Sequence, residues 1–341
     1  MNKWKIIVLT DHLSHNPANS VYELCNALQR DERVGEIMMA SRGQAENAPF
    51  FYQFSEDAVW AAPVNGTLNY EWGQQAFESG KVQKVALQSF DLIWLRLPRP
   101  IPTGFFEFLE ARFKNQIILN RPLGIQKSGS KEFLLEVPDL CPPIRLCRNL
   151  ADIKDFQQAF PIVLKPLEDY GGRGILRVEK GQVLLPEGPV SLDDYAAQLQ
   201  TQFDLGGYLA MEFLPGVREG DKRVVVVNGH VIGGLLRMPA EGSWLCNAAQ
   251  GGRAVVTKVD PEERDMAARL HEKLGPLGIA IFGMDTLMGN VGKRVLSEVN
   301  ALSIGGIQPL GELTDIPASD LVIKHFIDFA ESLKKNAATE L

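Results

Sequence analysis

Cysteine is scarce in this chain. The four present, Cys25, Cys141, Cys147 and Cys246, are too few to staple 341 residues, and their spacings match no zinc pattern. Free thiols in a reducing cytoplasm are therefore expected. Long apolar runs are missing too. No stretch of 18 apolar residues occurs, which excludes a transmembrane helix. The run Ile6 to Leu9 is too short for a signal-peptide core, and no small-residue cleavage site follows it. Positive charge is not in excess. Lys and Arg number 35 against 42 Asp and Glu, a formal net charge of −7. That balance argues against nucleic acid or a membrane surface as partner, while local basic clusters can still hold small anions. Repeats and low-complexity segments are absent. With five histidines and no Ser-His-Asp arrangement, no histidine is assigned a catalytic role. His12 and His15 lie three apart but have no evident third metal ligand.

What remains is an ordinary globular composition, 45% hydrophobic and 23% charged, long enough for two or three domains. Residues 4–10 read as a buried strand and Val21 to Arg30 as a helix, the start of an open α/β unit. Residues 41–80 show no clean periodicity. Asp91 to Arg96 is a strand stopped by Leu97-Pro98-Arg99-Pro100. Phe105 to Phe113 reads as a helix and Gln116 to Leu119 as a strand, closing a first domain near residue 122. Ligands of open α/β sheets sit beyond the carboxyl ends of strands, where Asp11, Ser20 and Arg96 fall. Further on, helices are expected at 128–137 (opening at Ser128 or Ser130), 151–159, 191–202, 261–276 and 318–335. Strands are expected at 161–166 and 175–178, with an apolar segment at 209–214. Hairpins are expected for 223–227 with 230–237 and for 280–288 with 294–300.

Several clusters carry chemistry. Gly171, Gly172 and Gly174 lie between two strands, which excludes a Walker loop and a dinucleotide fingerprint, both of which lead into a helix. Adjacent glycine N–H groups can still cradle an anion, and Lys165, six residues upstream, can reach the same phosphates. Glu298 and Asn300 are two apart on a strand and share a face. If the preceding turn is Asn290-Val291 alone, residue 285 pairs with residue 296 and Asp285 joins that face. Two carboxylates and an amide form an oxygen-only set suited to Mg²⁺ on nucleotide phosphates, although a one-residue slip would turn Asp285 away. Glu212 sits in an apolar segment, Ala210 to Leu214, whose backbone can face an adenine edge, and Asp221 can accept from ribose hydroxyls. Arg223 and Arg237 are expected as paired positions across the Asn228-Gly229 turn, and two adjacent cations call for an anion between them. The small polar segment 247–253 reads as a loop near those arginines.

Taken in order, these stretches resemble the ATP-grasp superfamily of carboxylate–amine ligases, and within it the bacterial glutathione synthetase family. The resemblance rests on Leu119-Asn120-Arg121-Pro122 with Lys131, Leu164-Lys165-Pro166-Leu167 with Gly171-Gly172, Gly220-Asp221-Lys222-Arg223-Val224, Asn247-Ala248-Ala249 with Gly251-Gly252, and Glu298-Val299-Asn300. It implies an α/β (α+β ATP-grasp) fold, with an N-terminal open α/β domain over 1–122, a small lid subdomain over 123–208 and a catalytic subdomain over 209–335. Nucleotide would be gripped between two sheets. It further implies that Lys131, Lys165, Gly171, Gly172 and Gly174 hold ATP phosphates, while Glu212, Phe213, Leu214 and Asp221 hold adenosine. Asp285, Glu298 and Asn300 would hold Mg²⁺ or Mn²⁺, and Arg223 and Arg237 would stabilise the transferred phosphoryl group. Ser20, Arg96, Asn247 and Ser303 are candidate substrate contacts. Residues 170–174 and 243–253 are the expected lids. The family's Ser-Pro-Thr stretch after the metal asparagine reads Ala301-Leu302-Ser303-Ile304-Gly305-Gly306 here, and Tyr170 and Arg173 replace smaller or apolar residues. The implied activity is ATP-dependent peptide-bond formation from γ-glutamylcysteine and glycine through an acyl phosphate. Another amino-acid or peptide ligase, or an ATP-binding protein without turnover, are the alternatives. A homo-oligomer is also expected, with the apolar pieces at 50–60 and 101–108 as interface candidates.

Overall fold

The computed structural model describes residues 3–78, 81–169, 171–239, 244 and 253–339. Three sheets follow one another along the chain. The first contains β1 (Trp4–Thr10), β2 (Val34–Ser41), β3 (Ala58–Pro63), β4 (Gln83–Ala86), β5 (Leu92–Leu95) and β6 (Ile117–Leu119), ordered β4-β3-β2-β1-β5-β6. Its centre is parallel and its β2-β3-β4 flank antiparallel. Ile6 to Leu9 are fully buried, as a strand covered on both faces requires.

The second sheet contains β7 (Ile144–Cys147), β8 (Ile162–Pro166), β9 (Leu176–Glu179), β10 (Gln182–Leu185), β11 (Gly188–Ser191) and β12 (Tyr208–Glu212), ordered β11-β10-β9-β8-β12-β7. The third contains β13 (Asp221–Val227), β14 (His230–Met238), β15 (Arg253–Thr257), β16 (Ile281–Met288) and β17 (Arg294–Asn300), ordered β15-β14-β13-β16-β17 and antiparallel throughout. Helix Pro261–Leu274 covers the back of the third sheet, opened by a capping box between Asp260 and Glu263. Helix Ala318–Thr339 returns to the first domain, where Phe326 packs on Trp94 with ring centroids 4.6 Å apart and Arg33 pairs with Asp328 at 2.6 Å.

Several expectations are corrected. Residues 41–80, left unassigned, hold β3 and a helix, Tyr70–Glu78. The helix expected at 128–137 is two pieces: an α-helix Pro122–Gly129 begins at a proline, and a 3₁₀ turn Lys131–Glu136 is capped by the Ser130 hydroxyl. The helix expected from 191 begins at Ala196, because Ser191 ends β11 and its carbonyl closes a turn onto the Tyr195 N–H. The second sheet extends to Glu212, past the expected boundary at 208, since β12 is inserted between β8 and β7. The apolar pieces proposed for an interface turn largely inward, although Tyr52 stays exposed. Phe50, Phe51 and Phe105 are fully buried in one aromatic cluster, where they serve the core. Among the described residues no helix is long and apolar enough to cross a membrane.

Candidate active site

The site begins with strand register. β16 and β17 are joined by a five-residue connection, closed by the Gly289 N–H donating to Lys293 O at 2.8 Å, not by Asn290-Val291 alone. Asp285 therefore stands opposite Glu298 and not residue 296. The shift is by two residues, so parity is kept, and Asp285, Glu298 and the more distant Asn300 share a face. A bulge between Asp285 and Thr286 leaves Ser297 as the extra residue.

The arginines need a similar correction. Counting back from the Asn228-Gly229 turn puts Arg223 opposite Gly234; a bulge after Val225, with Ile232 the extra residue on β14, moves it to Leu235, and Arg237 faces Asp221. The two guanidinium groups are diagonal neighbours on one face. The anion between them is supplied by the protein itself. Both nitrogens of an Arg223 fork donate to Asp285, and Arg237 Nη2 donates to Asp285 Oδ2 at 2.9 Å and to Asp221 Oδ2 at 2.6 Å. Burial works against ionisation of Asp285, but Arg223 and Arg237 more than offset it and hold its pKa below the usual carboxylate range. Asp221 moves the other way: burial first, then the neighbouring Asp285 charge, push it up to about 6. Among the described residues, Asp221 Oδ1 and Arg237 Nε have no hydrogen-bond partner.

Two buried lysines face this cluster from outside the third sheet. Lys165, on β8, donates to the Ser297 carbonyl at 3.0 Å and to its hydroxyl at 2.9 Å, so the bulge residue ties the two sheets together. Lys131 donates to the Asp169 carbonyl. Burial lowers both pKa values, and the Glu298 charge is the chief opposing influence on each. Glu298 thus sits electrostatically between the lysines while lining a cavity with Lys165, Glu212, Phe213, Leu214 and Asp221.

That cavity brings the expected adenosine residues together. The Phe213 N–H is spent on Pro161 O at 2.8 Å, whereas the Glu212 carboxylate accepts from Asn290 at 2.8 Å, linking the second sheet to the β16–β17 turn. Phe213 itself is packed between Arg177, whose guanidinium lies 3.8 Å from the ring centroid, and Trp244 at 5.9 Å. Neither residue was flagged by sequence reasoning, since a strand arginine and a lone tryptophan carry no motif. Gly171, Gly172 and Gly174 all take positive φ (70°, 79° and 65°) just past β8, and a side chain on Gly174 would also press on Pro166. Tyr170, Asn247, Gly251 and Gly252 lie outside the described residues, as does the second expected lid apart from Trp244 and Arg253.

A second cavity opens beside the first, between the carboxyl ends of the first sheet and the end of β17. Arg96, Ser303, Arg223 and Asn300 line it, together with His15 and Asn19, which sequence reasoning did not assign. Ser303 has φ +48° and donates to Leu97 O at 2.7 Å. Ser20 is not on this wall: its hydroxyl accepts from the Gln308 N–H at 3.3 Å, and its neighbour Asn19 takes the lining position. Asp11 is committed to Arg42 at 2.9 Å.

The donor set tests a metal. Among the described residues no group of three His, Cys, Asp or Glu side chains is placed to hold one. Asp285 and Glu298 are nonetheless opposed on one face, with the Asn300 amide 3.4 Å from Asp285, an all-oxygen set that fits a hard divalent cation. Asp285 would share its oxygens between that ion and the arginines.

Residues 130–315 match the profile of the ATP-grasp domain of prokaryotic glutathione synthetase. A glutathione synthetase of Bradyrhizobium diazoefficiens is 30% identical over 244 residues, covering 70% of this chain and 73% of that one. One from Prochlorococcus marinus subsp. pastoris is 28% identical, covering 80% and 84%. Among solved structures, D-cycloserine synthetase superposes with a TM-score of 0.63 over 97% of this chain and 99% of its own, at 14% identity, and so shares the ATP-grasp fold.

Proposed function

Because the chain belongs to the prokaryotic glutathione synthetase ATP-grasp family, we propose that it is an ATP-dependent ligase joining γ-glutamylcysteine to glycine. The observation that carries this reading is the Asp221–Arg237–Asp285–Arg223 cluster, which lies where the two cavities meet. ATP would enter the cavity between the second and third sheets, with adenosine near Glu212, Phe213, Leu214 and Asp221, and phosphates toward Lys165, Lys131 and the glycine turn. The acid would enter the adjoining cavity and meet the γ-phosphate beside Arg223 and Asn300.

A carboxylate oxygen is a poor leaving group, so the acid must be activated before an amine can displace it. Its oxygen attacks the γ-phosphorus, ADP leaves, and an acyl phosphate forms. Charge accumulates on the transferring phosphoryl oxygens, and Arg223, Arg237 and Lys165 are the groups that would stabilise it; no protein nucleophile is required. Asp285, Glu298 and Asn300 would hold Mg²⁺, whose positive charge, when bound, would neutralise part of the same phosphate charge. Neutral glycine nitrogen then attacks the acyl carbon, and phosphate departs with the oxygen taken from the acid. Water must be excluded meanwhile, and the glycine turn at 171–174 is placed to close over the phosphates.

Mg²⁺-dependent phosphate release, with ATP, γ-glutamylcysteine and glycine omitted in turn, tests the proposal. Release that needs all three, with glutathione formed, supports it; ATP binding without release sinks the substrate assignment. A second reading, a ligase of the same superfamily with another acid or amine, is favoured by one observation. The wall segment Ala301–Gly306 is glycine-rich, and a Cβ at Gly305 would meet nothing within 4 Å.

A further inference from the structure

Arg96 follows β5 on the wall of the second cavity and is only 6% exposed. Its Nη2 donates to Ile304 O at 3.3 Å, and among the described residues its Nε has no partner and no carboxylate is paired with it. The groups around it do not supply a counter-ion. Burial raises the Cys25 thiol to about 12, so it stays protonated. His15 uses both ring nitrogens, on Thr10 at 2.8 Å and Tyr22 at 2.7 Å, and burial lowers its pKa to about 4, so it stays neutral. A buried guanidinium without an anion is costly, and a cavity at its edge admits one from solution. Among the described residues the wall carries Arg96, Arg99, Arg173 and Arg223 but no aspartate or glutamate. Arg99 pairs with Glu168 and Arg223 with Asp285. Arg223 and Asn300 also mark the end where the acid would be phosphorylated, so the anion at Arg96 is a different group.

We infer that this cavity reads its acid through a second carboxylate, one that is not activated, bound at Arg96, and that no acidic side chain among the described wall residues reads the substrate's ammonium. The substrate class is thus a dicarboxylate whose amino group is dispensable. The inference rests on the ligase reading for which carboxylate reacts, and not for the binding itself.

Two acids separate the two groups of γ-glutamylcysteine. Glutarylcysteine keeps the second carboxylate and lacks the ammonium; 4-aminobutanoylcysteine keeps the ammonium and lacks that carboxylate. With the wild-type enzyme, kcat/KM for glutarylcysteine is expected within about 5-fold of γ-glutamylcysteine, and that for 4-aminobutanoylcysteine lower by about 100-fold or more, as for a site whose polar group is left unpaired. In Arg96→Met the γ-glutamylcysteine value should fall to the 4-aminobutanoyl level while the latter barely moves. Arg96→Lys, which keeps the charge, should recover part of the difference. Equal losses for both analogues, or an Arg96→Met loss that is the same for both acids, would overturn the inference. Calorimetric binding of glutarate does not depend on turnover. Weakening of about 10-fold or more in Arg96→Met upholds the carboxylate site even if no acid is ligated, in which case the ligase reading alone fails; equal affinity overturns the site.

Discussion

The two faces of the third sheet are built from the same strands and handle charge in opposite ways. On the back, Lys222 is 2% exposed and spends its ammonium on Lys258 O, Asp260 and Glu263 at 2.8, 2.7 and 2.6 Å. Glu263, fully buried, also accepts from the Asp260 N–H and from the Thr286 hydroxyl, while Arg294 caps the carbonyls of Gly220 and Thr286. On the front, one residue away along each strand, lie Asp221, Arg223, Arg237 and Asp285; Asp221 and Arg223 line the two cavities, and Asp221 Oδ1 and Arg237 Nε are left unmatched among the described residues. Lys222 and Thr286 are register partners, so Glu263 ties β13 to β16 directly behind Arg223 and Asp285. A closed network sets the register, and an open one keeps bonding capacity for a ligand.

If the comparison holds, front-face changes should cost turnover more than stability, and back-face changes should do the reverse. The largest effect is expected for Asp285→Asn, which leaves Arg223 without its anion and Arg237 with Asp221 alone: phosphate release should fall about 10³-fold, a larger loss than the accompanying drop in stability explains. On the back, Lys222→Met strands Glu263 in the interior and should cost about 3–5 kcal/mol in urea denaturation. Asp221 and Asp285 should give opposite pH dependences. The Asp221 pKa is raised in the fold, so its contribution declines as pH rises from about 4 to about 6; that of Asp285 is lowered, so its contribution declines as pH falls below about 4. Denaturation at stepped pH should show the first trend in the wild type and lose it in Asp221→Asn. The smallest effect is Thr286→Val, about 1 kcal/mol of stability from one hydroxyl, with the same readout.

How much of this was legible depended on range. The strand Trp4–Thr10 and helix Val21–Arg30 declare themselves by local periodicity. That Glu298 and Asn300 share a face follows from strand geometry, and Asp285 joins them because the register error was an even number. The two bulges were not legible, since Ile232 and Ser297 carry no bulge signal, and one of them is fixed by Lys165 reaching over from another sheet. Asp285 as the anion between the arginines was hidden for the same reason: it comes from β16, and the hairpin β13–β14 was read alone. Of the candidate substrate contacts, Arg96 and Ser303 reach the second cavity, whereas Ser20 was misjudged because its neighbour Asn19 carries the lining position.

In the proposed mechanism the acid is phosphorylated before the amine arrives. The most direct test uses γ-glutamylcysteine carrying ¹⁸O in the cysteine carboxylate, with ATP, Mg²⁺ and glycine. One ¹⁸O is expected in each phosphate released. Phosphate that takes its new oxygen from water, with the label left in the acid, would contradict that mechanism.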